Sequence, residues 1–310
     1  MGTIDLTTPA TEPLGLLDGL PRRLTLTLPE LHLVAQAAGG APLPFELVEP
    51  RTPAASDLDD RLGAGRASTE AASYAAALAA LHDPRDSLTR RGLMSRGVVD
   101  PGLTGAVGLL ATPRLAVDVD VAAGSVQAKA WHRQGGEAVA SLGTVDGLVF
   151  ELAWFPAARW ADELARAAVL PEDLALGGSE VPTRVTLPPE LAESSAEAVR
   201  SHRADLLPVL LGHDPGAVRG PDGSPLAPAD AERVLTALAR EARGRLRVLA
   251  TDAGSSGRGP VGVIAWVLVG DGWRALRPRR EDDTDVLEVV EVGPEDLAAE
   301  LAPVLAEVSA

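Results

Sequence analysis

The feature that most constrains the fold of this chain is a stretch of sequence that occurs twice. Residues 126–141 read VQAKAWHRQGGEAVAS, and residues 261–276 read VGVIAWVLVGDGWRAL. Both begin with Val, carry Ala-Trp at the fifth and sixth places, and have Gly at the tenth and Ala at the fifteenth. Alternating residues on either side of a glycine turn are typical of a β-hairpin. This alignment makes Trp131 and Trp266 equivalent, and we expect them to pack symmetrically in the core.

Two further matches lie in the same order along the chain. Residues 149–165, VFELAWFPAARWADELA, align with residues 286–302, VLEVVEVGPEDLAAELA. Leu115 and Leu246 open the strands that precede the two hairpins. A chance likeness between Ala-rich amphipathic segments explains one match better than three in order, so the sequence predicts an internal duplication.

The periodicity of apolar residues predicts the same order of elements in each half: helices, a strand, a hairpin, a strand and a helix. We therefore predict an α+β fold with a central antiparallel β-sheet, flanking helical bundles and two quasi-two-fold related halves. The predicted organisation is a loose N-terminal lead (1–24), an N-terminal half (25–170), a Pro-rich connection (171–189) and a C-terminal half (190–308).

The boundaries of the elements come from apolar spacing and from capping residues. Asp100 and Pro101 suit the start of a helix, and Pro208 is expected to break one. The predicted helices are 26–40, 68–82, 84–93, 100–111, 156–170, 190–212, 228–244 and 293–308. The predicted strands are 43–49, 114–123, 126–133, 137–143, 147–155, 245–251, 261–269, 273–279 and 286–292.

Charge and composition exclude several classes of function. The formal net charge is −16, which disfavours nucleic acid and anionic membranes as partners. The chain has no cysteine, so disulfides, thiol catalysis and cysteine-bound metals are excluded. The N-terminus lacks the pattern of a secretory signal, and no apolar stretch reaches membrane-spanning length. We expect a soluble cytoplasmic protein that does not insert into membranes.

No motif for a cofactor or a metal is present. The chain has no G-x-x-x-x-G-K-[ST] loop, no G-x-S-x-G and no His-x-x-x-His, and Lys129 is its one lysine. Asp118 and Asp120 share one strand face, and His132 lies on the next strand. A hydrolase that uses these three residues is an alternative, but the outward polar face of a strand explains the two carboxylates better. We expect no enzyme activity, no cofactor and no metal.

Three phrases of the sequence resemble a known family. They are LTLPELHLVAQAAGGAPLPFEL near the start, RGLMSRGVVDPGLTGAVGLLATPRLAVDVDV before the first strands, and AWHRQGGEAVASLG in the first hairpin. They are similar to the EspG family of ESX (type VII) secretion-associated proteins of actinobacteria, and the likeness runs from about residue 25 to 308. The resemblance implies a central antiparallel sheet with helical bundles and quasi-two-fold halves. It also implies a non-enzymatic cytosolic chaperone that keeps helical substrates, notably PPE proteins in PE–PPE pairs, soluble for export.

The resemblance further implies a partner-binding surface, because the family covers an apolar helical tip of the substrate with its C-terminal half and with a loop between two strands. Carried onto this chain, the candidate groove consists of Leu206, Leu207, Leu210, Leu211, Val234, Leu235 and Leu238. The corresponding loop is residues 122–126, with Gly124 and Ser125 at its tip, and it is shorter than the loop of many family members. The alternative interpretation of the seven apolar residues is that they form the hydrophobic core.

Three hypotheses about function follow. The first is a chaperone whose partner is a helical ESX substrate, either PE–PPE-like or WXG-type. The second is a structural interaction protein that forms a homodimer or larger homo-oligomer through its strand edges. The third is the hydrolase described above.

Overall fold

The structure is a computed structural model that describes residues 21–45, 73–253 and 261–308. Its strands are β1 (Arg22–Thr27), β2 (Met94–Ser95), β3 (Val98–Val99), β4 (Leu115–Ala123), β5 (Val126–Gly135), β6 (Ala138–Thr144), β7 (Val149–Pro156), β8 (Arg184–Leu187), β9 (Gly244–Asp252), β10 (Val261–Leu268), β11 (Trp273–Glu281) and β12 (Thr284–Val292). Its helices are α1 (Leu28–Ala37), α2 (described over 73–79), α3 (Pro84–Arg90), α4 (Pro101–Ala111), α5 (Trp160–Ala168), α6 (Pro189–Arg200), α7 (Leu207–His213), α8 (Pro228–Arg240) and α9 (Asp296–Val308).

Ten of the described strands form one sheet in the order β1-β7-β6-β5-β4-β9-β10-β11-β12-β8. Every neighbouring pair is antiparallel. The remaining strands, β2 and β3, form a small separate hairpin. The predicted α+β class with a central antiparallel sheet and flanking helices is therefore confirmed.

The order of the strands reads as two equivalent halves that meet at β4 and β9. Each half begins with a short strand at the sheet edge, continues through helices, and ends with a four-stranded meander and a final helix. β4 pairs with β9 along its whole length, from Leu115 opposite Asp252 to Ala123 opposite Gly244. The predicted duplication is thus visible in the topology, whereas the proposed domain boundaries stay a prediction.

The alignment of the two hairpins is wrong by one residue. Arg133 pairs with Ala140 in the first hairpin and Val267 with Arg274 in the second, so equivalent residues are 134 apart rather than 135. Successive side chains of a strand point to opposite faces, so this shift moves a residue to the other face. The residue equivalent to Trp266 is therefore His132.

The two tryptophans consequently lie in different cores, and the predicted symmetric packing is wrong. Trp131 packs against Phe45, with ring centroids 5.2 Å apart, on the face that carries α1 and α4. Trp266 packs against Trp273, at 6.2 Å, on the face that carries α5 and α9.

Helices cover the sheet on both faces. α5 and α9 lie side by side on one face and share a core with the inward residues of the central strands. On the opposite face, α1, α3 and α4 cover the first half, and α6, α7 and α8 cover the second. The central strands of that face lie between these two helical layers.

Two strands, one at each edge of the sheet, are not predicted from the sequence. β1 covers the last residues of the predicted lead and the first two of the predicted helix 26–40, and it runs directly into α1. β8 lies within the predicted connection. Leu24 and Leu26 do alternate with Thr25 and Thr27, but this run leads directly into α1, and the four residues of β8 are too few to establish a period. Residues 1–20 of the predicted lead and residues 46–49 of the predicted strand 43–49 lie outside the described residues.

Local signals explain where several helices begin and end. Asp100 caps α4 as predicted, and its carboxylate accepts hydrogen bonds from the Gly102 and Leu103 amides at 2.8 and 3.2 Å. The predicted helix 190–212 is interrupted: α6 ends at Arg200, and Pro208 lies in the first turn of α7. Proline is tolerated there because the first turn needs no amide donor.

Candidate functional site

The predicted groove residues come together in the helical layer of the second half, but most of them face inward. Leu207, Val234 and Leu235 are buried and belong to the hydrophobic core. Leu210, Leu211 and Leu238 are partly buried against the same core. These six side chains contribute chiefly to packing in the structure described.

The exposed apolar part of this region is the outer surface of α7 and the turn before it. Leu206 is 37% exposed and Val209 is 64% exposed. Leu206 is one of the residues predicted from the sequence, whereas Val209 is not. The exposure of both depends on the break between α6 and α7, where His202 adopts a positive φ of 58°. We call Leu206 and Val209 the α7 patch.

The predicted loop is a tight two-residue turn between β4 and β5. Gly124 has a φ of +60°, which suits glycine, and a Cβ there would lie 3.2 Å from Leu174 Cδ1. The Gly124 amide donates to the carbonyl of Arg243 at 3.4 Å, which ties the turn to the second half. Gly124 and Ser125 therefore form a packed turn rather than a projecting arm.

A cleft of about 390 Å³ lies over the central strands between the two helical layers. It is lined by Asp118, Val119, Asp120, Lys129, Trp131, Arg245, Arg247 and Leu249. Residues from both halves contribute, because β4 and β9 are paired there. We call this feature the central cleft. Sequence analysis noted its two aspartates but did not predict that they share a cleft with basic residues of the second half.

The charges of the central cleft are only partly neutralised. The Arg133 guanidinium lies 2.6 Å from Asp118 Oδ1, and Arg245 lies 3.8 Å from Asp120 Oδ1. Among the described residues, Lys129 and Arg247 form no ion pair. The cleft therefore offers two basic side chains and the rings of Trp131 to a binding partner.

The three residues of the hydrolase hypothesis are not brought together. Asp118 and Asp120 face the central cleft, whereas His132 points to the opposite face and stacks on Trp160 at a centroid distance of 6.5 Å. Burial, reinforced by the charge of Arg133, lowers the pKa of His132 to about 4. No three metal-binding side chains cluster anywhere in the described ranges.

The fold is of the kind found in type VII secretion chaperones. One solved structure with this fold is EspG5 of Mycobacterium tuberculosis, a type VII secretion system chaperone in complex with a PE25–PPE41 dimer. The match has a TM-score of 0.59 and 12% sequence identity, and it covers 92% of this chain and 96% of the matched chain. No protein-family model and no curated protein matches the sequence. The chain therefore has an EspG-like fold, as the sequence resemblance predicted.

No helix in the described part of the chain combines the length and the apolar character needed to cross a bilayer.

Proposed function

We propose that this protein is a cytosolic chaperone that binds a helical type VII secretion substrate and keeps it soluble for export. The observation that supports this most is the EspG-like fold along 92% of the chain, since the similar protein is a secretion chaperone that was solved with a PE–PPE pair. The expected client is a PE–PPE-like pair or a related WXG-type helical protein.

The proposed binding surface combines the α7 patch with the central cleft. An apolar helical tip is an aggregation hazard in water, and exposed apolar residues such as Leu206 and Val209 are suited to cover it. Lys129 and Arg247 in the cleft are suited to acidic or carbonyl groups at the C-terminal end of a client helix. Binding of this kind needs no catalytic group and no cofactor.

The proposal is tested by co-expressing the chain with the PE–PPE pair or WXG-type protein encoded beside its gene. We expect a stoichiometric complex on size-exclusion chromatography and a soluble client that aggregates when expressed alone. The double variant Leu206→Asp with Val209→Asp should weaken the complex at least about tenfold, because two carboxylates would be buried against apolar client surface.

The control is Val98→Asp, which places one such carboxylate on a valine as exposed as Val209, in the hairpin of β2 and β3. This variant should bind the client normally, and circular dichroism should show that all variants are folded. Absence of a complex with every neighbouring PE–PPE or WXG-type protein would contradict the proposed function. Equal binding by the double variant and the control would contradict the α7 patch.

A further inference from the structure

A small cavity lies beneath α5 in the first half, between that helix and the strands β5, β6 and β7. Its volume is about 120 Å³, and a cavity of about 150 Å³ is large enough to hold a benzene molecule. The polar side chains that line it are His132, Ser141, Glu151, Glu163 and Arg166. We call it the His132 cavity. It lies on the opposite face of the sheet from the central cleft.

The register of the strands identifies the same position in the second half. The cross-strand pairs at the cavity have these counterparts: His132–Ser141 corresponds to Trp266–Ala275, and Gly143–Glu151 corresponds to Arg277–Glu288. The match between the final helices relates Glu163 to Glu300. The two halves can therefore be compared residue by residue around the cavity.

The cavity exists because the first half has smaller residues at these positions. Four of its lining residues are smaller than their counterparts: His132 against Trp266, Gly143 against Arg277, Ala130 against Ile264, and Ala167 against Val304. Arg166 supplies the charge that Arg277 supplies in the second half, since its guanidinium lies 3.2 Å from Glu163 and 3.4 Å from Glu151. The charge is thus replaced, but the volume is not.

The second half also shows which hydrogen bond the first half does not form. Trp266 donates from Nε1 to Glu300 at 2.8 Å, so the indole joins the strand to the final helix. The equivalent Glu163 accepts from two arginines at 2.6 and 3.2 Å, and among the described residues His132 Nδ1 is buried without a partner. The cavity therefore separates a carboxylate that can accept a further hydrogen bond from an imidazole nitrogen that has none.

The charges around the cavity balance one another. Two acids, Glu151 and Glu163, each lie within 3.4 Å of both Arg23 and Arg166. A charged ligand would lose its hydration here without gaining an uncompensated partner. The site therefore favours a neutral ligand over an anion or a cation.

We propose that the His132 cavity binds a small neutral azole, a five-membered aromatic ring with one N–H donor and one nitrogen acceptor. The N–H donates to Glu163, as the indole of Trp266 does to Glu300 in the second half. The acceptor nitrogen faces His132 and Ser141, which are cross-strand neighbours. This inference goes beyond the proposed function, because no client contact is assigned to this face of the sheet.

The test is a titration with pyrazole, an azole that is neutral at pH 7.5, followed by nuclear magnetic resonance of the imidazole nitrogens in histidine-labelled protein. The His132 signals are assigned by their loss in His132→Phe, and the other histidines of the chain serve as internal controls. We expect a saturable shift confined to His132. N-methylpyrazole, which lacks the N–H donor, should bind at least about tenfold more weakly. Acetate and methylammonium, which are charged, should give no saturable shift.

The variant that closes the cavity is Ala130→Ile, because isoleucine is the residue at the equivalent position of the second half. It should weaken pyrazole binding at least about tenfold, since the added carbons enter the space of the ring. The matched control is Ala161→Ile, the same substitution at an exposed position of α5, which should bind normally. Circular dichroism should show that both are folded, and Ala167→Val replaces Ala130→Ile if that variant is not.

Four results would overturn the proposal. They are no saturable shift at His132, which would mean that the cavity holds water only; equal binding of pyrazole and N-methylpyrazole; equal binding by the folded Ala130→Ile and Ala161→Ile proteins; and saturable binding of a charged probe but not of pyrazole. Because the titration needs no client, its failure leaves the proposed function intact. The absence of a client complex likewise leaves the azole site intact.

Discussion

At the scale of single residues, His132 shows how the two halves have diverged. In the second half, the equivalent Trp266 donates from Nε1 to Glu300 at 2.8 Å. In the first half, His132 lines a small cavity of about 120 Å³ together with Glu163 and Arg166. Its buried Nδ1 has no hydrogen-bond partner in the described part of the chain. The imidazole is therefore held neutral by its burial and by the neighbouring charge of Arg133.

We expect this histidine to make the fold sensitive to acid. Its pKa is about 4 in the folded protein and 6.5 in the unfolded chain, so the unfolded chain takes up the proton first. The stability that depends on neutral His132 is complete above pH 6.5 and falls by about 3 kcal/mol as the pH drops to 4. His132→Phe should remove this dependence and retain the stacking on Trp160.

The measurement is the free energy of unfolding in urea at pH 7.5, 5.5 and 4.5 for both proteins. Carboxylates titrate in each of them, so the difference between the two curves isolates His132. Parallel curves over this range would show that His132 does not titrate as its burial requires.

Some of the residues predicted to be equivalent in the two halves are equivalent in the structure, and others are not. The reason is that corresponding turns differ in length between the halves. The match between residues 149–165 and 286–302 pairs Glu163 with Glu300, and each carboxylate lies 2.6 Å from an arginine of the sheet. The alignment of the two hairpins placed the glycines of their turns opposite each other. Two residues separate β5 from β6 but four separate β10 from β11, so identical letters in the turns are displaced by one place.

The candidate site was harder to predict than the fold. Leu207 and Leu235 each belong to the apolar face of a helix. The spacing of apolar residues along a helix is the same whether that face packs on the sheet or binds a partner. The exposure of Val209 depends on where α7 begins and how it packs on α6 and α8. The central cleft arises only when β4 and β9 pair, which joins residues more than a hundred positions apart.

At the scale of elements, α9 packs directly on β10. Val304 of α9 occupies the space that a side chain at Gly262 of β10 would need. Valine is branched at Cβ and cannot easily turn away, so the helix itself would have to move. A glycine at this position therefore reflects close packing, not an unusual backbone conformation.

Gly262→Ala is accordingly expected to destabilise the protein by about 1–3 kcal/mol through overpacking. Gly108→Ala is the matched control, because Gly108 lies within α4 and a Cβ there meets nothing within 4 Å. The control should stabilise the protein by about 0.5–1 kcal/mol. Urea unfolding measures both, and a neutral or stabilising effect of Gly262→Ala would contradict the described contact of α9 with β10.

At the scale of the whole molecule, the two halves share one sheet and, on the face covered by α5 and α9, one core. β4 pairs with β9 over nine residues on each strand, and α5 packs along α9 on one face. Trp273, in the second half, donates from Nε1 to the carbonyl of Ala168 in the first at 2.8 Å. These contacts indicate that neither half can lose its structure without exposing the core of the other.

We therefore expect the halves to unfold in a single cooperative transition. The tryptophans allow each half to be followed separately, since Trp131, Trp154 and Trp160 lie in the first and Trp266 and Trp273 in the second. Trp266→Phe with Trp273→Phe leaves fluorescence from the first half alone. Its urea midpoint should coincide with the midpoint from far-ultraviolet circular dichroism of the same variant.

Two separated midpoints would instead show that the halves are independent folding units. The complementary variant, with phenylalanine at the three tryptophans of the first half, reports on the second half and should give the same coincidence.

The pairing of β4 with β9 has a final consequence for how the protein behaves on dilution. Two separate chains joined by such a strand pair would dissociate as their concentration fell. Here both strands belong to one chain, so each is present to the other at an effective concentration that does not depend on how much protein there is. The sheet and its central cleft therefore persist in a cell that makes only a few copies of this protein.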